Sequence, residues 1–261
     1  MPTNQRVVPQ DLVDQIIQRL QSEEPNLQAV LLNGSFARDE ADAHSDFDVV
    51  VVTQGKPCIG DRTWFESTPD GRLLHVSIGT EALEPPDRSE AASWALGFPA
   101  RDVQQYLWAT PLARAVLGAD PSLRLAAGEP QLEDFVECFM KLRRARKTDD
   151  RLLLRWAARH LAEYGPGLLR PFNPERVVRT PVEAISTTLE LPSTPAHFHD
   201  DFKMCFGLVP GSDSEIAAAA TRLTRELLDF LAERLGDEQY PSGDVRIYLK
   251  DGTILRYLFS D

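Results

Sequence analysis

The stretch "LLNGSFARDEADAHSDFDVVVV", residues 31–52, joins an apolar segment, a Gly-Ser pair and two aspartates that precede four valines. Gly34 and Ser35 follow the apolar start, ten residues intervene, and then come Asp46 and Asp48, which are two positions apart. Side chains alternate along a strand, so residues two apart share a face. The spacing therefore predicts two carboxylates pointing the same way at the start of a buried strand.

This stretch indicates a particular chemistry. Two neighbouring carboxylates repel each other unless a cation compensates them, and Mg²⁺ is often held by one or two carboxylates plus substrate phosphates. Gly34 and Ser35 are expected to open a helix, where glycine allows close backbone approach and free N–H groups attract phosphate. Arg38 adds a positive charge one turn later. Ser45, beside Asp46, either contacts phosphate or caps the strand. The pattern predicts a nucleotidyl transfer site.

The order Gly34-Ser35, ten residues, then Asp46-x-Asp48 on a strand resembles the signature of the DNA polymerase β-like nucleotidyltransferase superfamily. The layout is most similar to the kanamycin (aminoglycoside) nucleotidyltransferases, in which a helical domain that shapes the acceptor pocket follows the catalytic domain. Weaker likeness comes from "LLHVSI", "DFVECF" and "GSDSE", at residues 73–78, 134–139 and 211–215. The resemblance implies Mg²⁺ held by Asp46 and Asp48, and ATP or another nucleoside triphosphate as co-substrate.

The resemblance also implies a third carboxylate on the neighbouring strand, at the position of His75. On a strand Leu73, His75 and Ser77 share a face, so His75 is expected to face the site. Imidazole is a poor Mg²⁺ ligand but a fair general base. A structural, hydrogen-bonded histidine is the alternative. Glu81 and Glu84, just past the strand, are substitute acids.

Glu137 is a second candidate base, and it is implied only by the resemblance. It would take the proton from the acceptor hydroxyl as that oxygen attacks the α-phosphorus. Glu133, Glu137 and Lys141 are four residues apart from one to the next, which is also typical of an exposed row of helical ion pairs. Both interpretations stay open.

Apolar spacing and turn residues predict an α+β fold. A nucleotidyltransferase mixed sheet with flanking helices is expected at residues 1–129, and a helical acceptor-binding domain with a C-terminal hairpin at 130–261. The predicted helices are 11–21, 132–142, 150–164, 181–189, 195–206 and 212–235. The predicted strands are 27–32, 46–53, 71–79, an edge strand or helix at 112–122 with the strand favoured, and the hairpin at 245–259. Trp64 and Phe65 are expected in a loop or short helix.

The formal net charge of −12 restricts the partners. An acidic chain counts against nucleic-acid binding, which usually needs a basic patch, and suits a small molecule or a cationic substrate. No apolar run approaches the roughly 20 residues of a membrane span, and no apolar segment begins the chain. We therefore expect a cytoplasmic protein with no membrane partner.

These observations together predict an enzyme that transfers a nucleoside monophosphate, AMP from ATP, to a hydroxyl of a small, aminoglycoside-like molecule. One alternative is a nucleotide-binding pseudoenzyme or regulator that lacks the third acid. Another is a nucleotidyltransferase acting on a protein or an RNA end, as in toxin–antitoxin systems. The acceptor, the preferred base and the existence of a homodimer are left open.

Overall fold

The computed structural model describes residues 8–42, 44–69, 71, 73–85, 91–128, 132–234 and 248–259. The chain forms two compact units. We call Met1–Ser89 with Arg101–Leu125 the sheet unit, and Glu90–Ala100 with Ala126–Asp261 the helical unit. The domain boundary expected between residues 129 and 130 stays a prediction, because it lies outside the described residues.

The first part of the chain builds a five-stranded mixed sheet in the order β3-β4-β2-β1-β6. Strands β2 and β4 are parallel and the other neighbours are antiparallel, while β5 and β7 form a separate pair. The elements are α1 Gln10–Glu23, β1 Leu27–Leu32, α2 Gly34–Ala37, β2 Phe47–Thr53, β3 Arg62–Ser67, β4 Leu73–Ala82, β5 Ala100–Asp102, β6 Gln105–Ala109, α3 Pro111–Leu117 and β7 Leu123–Leu125. This mixed sheet confirms the predicted fold class.

The two faces of the sheet carry different cores. On one face the apolar side of α1 packs with Val49 and Val51 of β2. On the other face Val50 and Val52 pack with Ala113 of α3. Because side chains alternate, the second residue of β2, Asp48, lies on the α3 face. The site therefore belongs to that face.

The helical unit is a bundle in which α4 packs on α5, and α5 packs on α7 and α8. Its elements are a 3₁₀ turn Ser93–Ala95, α4 Leu132–Thr148, α5 Arg151–Leu169, a 3₁₀ turn Arg170–Phe172, α6 Pro181–Leu189, α7 Phe198–Phe206, α8 Asp213–Arg234 and α9 Thr253–Phe259. Helix α8 begins with a capping box, for which Ser212 followed by Glu215 is the sequence pattern: Ser212 N–H donates to Glu215, and Glu215 N–H donates to the Ser212 hydroxyl. Among the described helices, none is both long and apolar enough to cross a membrane.

The favoured edge strand at residues 112–122 is wrong, because Pro111–Leu117 forms helix α3. The Thr110 side chain accepts a hydrogen bond from the Ala113 N–H at 3.1 Å, which caps the helix. Pro111 occupies the first helical position, where its fixed φ suits the helix and its missing N–H costs nothing. These local signals decide between strand and helix.

The C-terminal hairpin is also wrong for the part that the structure describes. Residues 253–259 form α9, and 245–247 lie outside the described residues. The Asp251 carboxylate accepts a hydrogen bond from the Thr253 N–H at 2.8 Å. Asp251 and Gly252 therefore begin a helix here instead of forming a two-residue hairpin turn.

Trp64 and Phe65 lie in strand β3 and not in a loop or short helix. The strand pairs antiparallel with β4, and its residues alternate between half-buried and exposed. Aromatic and β-branched residues in alternation are typical of an edge strand with one covered face. The sequence "RTWFES" carried that signal.

Helix α5 does not end at residue 164, where Gly165 and Pro166 would be expected to stop it, but continues to Leu169. Gly165 has no Cβ, so the steric conflict between a proline ring and the preceding side chain is reduced. Gly165 and Pro166 are both buried in the bundle. Tertiary packing therefore overrides the stop signal.

Candidate active site

The two aspartates lie at the start of β2. Asp46 directly precedes the strand and 52% of its side chain is exposed, whereas Asp48 is half-buried inside the strand. Burial raises the pKa of Asp48, and the negative charge of Asp46 raises it further. Among the described residues, no lysine or arginine forms an ion pair with Asp48. The two carboxylates therefore share one face, and no lysine or arginine in the described part of the chain compensates the half-buried one by direct contact.

A glycine turn lies against this acid pair. The N–H of Asn33 donates to the backbone oxygen of Asp48 at 2.8 Å. Gly34 follows with a φ of 67°, and a Cβ there would be 2.5 Å from Asp48 Oδ2. Only glycine leaves room for that carboxylate. Within the described part of the chain, the Ser35 hydroxyl makes no hydrogen bond.

His75 lies beside Asp46. Strand β4 runs parallel to β2 with Asp48 opposite Ser77, so His75 is level with Asp46 on the same face. Its Nδ1 is 3.1 Å from Asp46 Oδ1, and its ring packs on Phe65 with centroids 5.2 Å apart. His75 thus occupies the position on the neighbouring strand at which a third carboxylate was expected.

Arg38 brings a positive charge to the acid pair. Its side chain is only 15% exposed, and its Nε donates to Glu40 at 2.8 Å. The guanidinium charge lowers the pKa of Asp48, opposing the effect of burial. Arg38 is therefore a half-buried cation next to carboxylates that it does not fully neutralise.

Sequence reasoning missed two residues in this region, Asn33 and Asp102. Burial raises the pKa of Asp102, and this is opposed by the Arg38 charge and by a hydrogen bond from the Asn33 side chain. Asn33 Oδ1 is buried and has no partner among the described residues. Asn33 directly precedes the Gly-Ser pair, which was an available signal, whereas nothing in the sequence around Asp102 marked it.

Ser45 and Glu137 are placed differently from the rest. The Ser45 hydroxyl accepts a hydrogen bond from the Asp42 N–H and donates one to the Asp42 carboxylate, which closes the turn before β2. Glu137 lies on α4 in the helical unit, where its carboxylate contacts Lys141 Nζ at 2.8 Å and raises the Lys141 pKa. Its exposed ion pair is the one that the helical spacing predicted.

The donor set at the acid pair fits one kind of metal. In the described part of the chain, no three His, Cys, Asp or Glu side chains are grouped to hold a metal ion. Two carboxylates without a third suit Mg²⁺ that shares its coordination with substrate phosphates and water. Within the described ranges, no lysine or arginine contacts the Asp48 carboxylate that lies against Gly34, so its oxygens are available to such an ion.

The helical unit has a cavity of about 370 Å³ that we call the α5 cavity. It is lined by His160, Glu163 and Tyr164 of α5, and by Gly97 and Gly128, whose carbonyl oxygens accept hydrogen bonds from the Arg170 guanidinium. Burial and nearby carboxylates, Asp134 foremost, raise the pKa of Tyr164. The cavity thus combines aromatic and acidic side chains.

Comparison with known proteins divides the chain in two. Residues 13–82 match the family described as "Nucleotidyltransferase domain", and residues 131–231 match "Nucleotidyltransferase, substrate binding domain"; together they cover more than half of the chain. No curated protein matches. A solved structure of a nucleotidyltransferase-like protein from Exiguobacterium sibiricum 255-15 is 12% identical and has a TM-score of 0.37, over 95% of this chain and 89% of that one.

Proposed function

Since this chain belongs to the nucleotidyltransferase superfamily, we propose that it transfers AMP from ATP to a hydroxyl of a small cationic molecule. The observation that carries the proposal is the Asp46–Asp48 pair. Asp48 is half-buried beside a like charge and rests against Gly34, and no lysine or arginine of the described residues forms an ion pair with it. Carboxylates kept in such a state are typical of a metal and phosphate site.

The acid pair has a defined part in this reaction. Asp46 and Asp48 would hold Mg²⁺, which when bound neutralises charge on the triphosphate. His75 contacts Asp46 through Nδ1 and so restricts the orientation of that carboxylate. The positive φ of Gly34 keeps the backbone close to Asp48. These residues prepare the site before substrate arrives, and catalysis of this type depends mainly on such positioning.

The phosphates of ATP would be bound by the turn after β1. Gly34 has no side chain to block their approach, and the Ser35 hydroxyl lacks a partner among the described residues. Arg38 supplies a nearby positive charge with little freedom to move, because Glu40 holds its Nε. Attack of the acceptor oxygen on the α-phosphorus breaks the bond to the β-phosphate, and pyrophosphate leaves.

The acceptor would bind in the helical unit. The α5 cavity contains Glu163 and Tyr164, and with the net charge of −12 this favours a cationic, aminoglycoside-like molecule. Glu137 and His75 are both proposed as the group that takes the acceptor proton. The Glu137–Lys141 pair is exposed, so breaking it to free the carboxylate costs little.

A direct test incubates the protein with α-labelled ATP, Mg²⁺ and a panel of aminoglycosides, and measures pyrophosphate and labelled acceptor. Asp48→Ala should lower turnover at least about a hundredfold. The matched control Asp11→Ala, an exposed acid on α1 of the same unit, should keep it. ATP binding without pyrophosphate under every condition would point to the regulator instead. Transfer of the label to a protein or an RNA, and not to an aminoglycoside, would show that the acceptor is a macromolecule.

The same assay separates the two candidate bases. His75→Gln and Glu137→Gln are compared at saturating substrates with Glu133→Gln, one turn earlier on α4. A base should lower kcat more than about tenfold when replaced, and Glu133→Gln should have no effect. Normal kcat in both test variants would remove the base assignment while leaving the acid pair intact.

A further inference from the structure

The helical unit contains a second cavity, of about 680 Å³, that shares no lining residue with the α5 cavity. Three arginines line it: Arg146 from the last turn of α4, and Arg222 and Arg225 from α8. Leu154, Ala217 and Ala218 supply apolar surface. We call this cavity the arginine groove.

The charge of the groove opposes that of the chain. Its carboxylates are Asp149 and Asp213, and Asp213 is paired with two further guanidinium groups, of Arg151 and Arg155. These contacts lower the pKa of Asp213 and offset its negative charge. Among the described residues, neither Arg146 nor Arg225 forms an ion pair. Arg222 is paired with Asp201, so the lining keeps Arg146 and Arg225 against the carboxylate of Asp149, which leaves a positive balance in a protein of net charge −12.

Two of the arginines are held in place before any ligand binds. The Arg222 guanidinium grips both oxygens of Asp201, with Nε 2.9 Å from Oδ2. The Arg225 guanidinium lies over the Phe259 ring, 4.1 Å from its centroid. Arg222 and Arg225 are three residues apart on α8, so their side chains are neighbours on the helix surface. Fixed guanidinium groups lose less entropy when an anion binds.

We propose that the arginine groove binds a small molecule with adjoining phosphate groups, at a position outside the transfer site. The planar guanidinium donates paired hydrogen bonds that match phosphate oxygens. The volume is within the range of small-molecule sites, and the apolar surface can carry a ring attached to the phosphates. A groove with only three arginines in an acidic chain fits a small anion better than a nucleic acid, which needs an extended basic surface. This inference does not depend on the proposed reaction.

The test titrates inorganic pyrophosphate into the full chain by calorimetry, with EDTA present so that Mg²⁺-dependent binding is absent. Arg146→Ala/Arg225→Ala should weaken binding at least about tenfold, because two charged contacts are lost. Arg144→Ala, on the same helix but outside the lining, should bind as the unchanged protein does. Binding should also weaken with added salt.

Two outcomes would overturn the proposal. They are the absence of pyrophosphate binding, and binding by the double variant as tight as by the unchanged protein, which would place the anion outside the groove. A single-stranded RNA oligomer that binds more tightly than pyrophosphate would overturn the ligand class. If the double variant melts at a lower temperature, Arg146→Ala alone replaces it, since Arg146 is exposed. Failure of nucleotidyl transfer has no bearing on these results.

Discussion

Asp48 and Asp201 are both carboxylates that the fold removes from water, and their surroundings are opposite. Asp201 on α7 is 1% exposed, and its two carboxylate oxygens accept hydrogen bonds from Nε and Nη2 of Arg222. Asp48 on β2 faces a second carboxylate, and no guanidinium contacts it in the described residues. Burial is the largest effect on the pKa of each, and raises both. The charge of Asp201 is neutralised by an arginine of the same unit, whereas Asp48 would be stabilised by a cation from outside the protein.

The difference separates a structural role from a functional one. A compensated buried acid stabilises packing, because removing its partner leaves a charge without solvent. A partly buried acid without a cationic partner lowers the stability of the fold. Such acids are typical of functional sites, where a bound ligand or metal ion supplies the missing positive charge. The site of the sheet unit should therefore tolerate loss of its acid, and the bundle should not tolerate loss of its ion pair.

The largest effect should come from breaking the pair in the bundle. Arg222→Ala leaves Asp201 buried without a cation and should lower the free energy of unfolding by about 3 kcal/mol. This is the lower end of the usual range, because Arg222 reaches solvent. Asp48→Ala should change it by less than about 0.5 kcal/mol. Urea unfolding followed by circular dichroism measures both.

Arg225→Ala, one turn away on α8, is the control for this pair of variants. It loses the contact with Phe259 and the attraction to Asp229, whose pKa the Arg225 charge lowers, and should cost less than about 1 kcal/mol. Equal losses from Arg222→Ala and Asp48→Ala would remove the distinction between the two aspartates.

Substitutions at two glycines, Gly97 and Gly34, extend the comparison between the two units and should have effects of intermediate size on stability. A methyl group at Gly97 would overlap the Cα of Gly167, and the φ of Gly97 is 81°. Gly97→Ala should cost about 2 kcal/mol, because backbone cannot move aside. At Gly34 the nearest atom belongs to the Asp48 side chain, which can move. Gly34→Ala should therefore cost about 1 kcal/mol and disturb turnover instead.

Thermal melting measures the stability of both glycine variants, and the pyrophosphate assay measures the turnover of Gly34→Ala. Gly60→Ala is the matched control, since a Cβ there meets nothing within 4 Å and its φ is not positive. Normal turnover in Gly34→Ala would show that the exact position of the Asp48 carboxylate is unimportant.

The smallest effect concerns Glu24, a third buried carboxylate that peptide groups compensate. Burial alone would raise its pKa, but the N–H groups of Asn26, Cys58 and Ile59 outweigh burial and lower it. A depressed pKa contributes stability above the unfolded value near about 4.3, and this is lost as pH falls through the folded value. Glu24→Gln should therefore cost about 1 kcal/mol near neutral pH.

Melting temperatures across the acid range check the Glu24 prediction. The gap in melting temperature between the unchanged protein and Glu24→Gln should narrow as pH falls below about 4.3 and through the lower folded pKa, because the Glu24 carboxylate then takes up a proton. A gap of constant size would mean that packing and not charge accounts for the loss.

Local signals predicted the elements that local forces decide. The bounds of β1 and α6, and the capping box at Ser212, agree with the sequence pattern because caps and periodicity act over a few residues. Helix α3 was missed although Thr110 and Pro111 carried its start signal. The helix through Pro166 could not be read locally, since burial in the bundle decided it.

The sequence by itself determined that two carboxylates would share a strand face behind a Gly-Ser turn, because alternation along a strand is a local property. Only the tertiary structure decided that His75 contacts Asp46, that Gly34 lies against Asp48, and that arginines of α4 and α8 surround one groove. These contacts join segments far apart in the chain. Their formation depends on strand register and helix packing, which minimise the free energy of the whole fold and leave no mark on neighbouring residues.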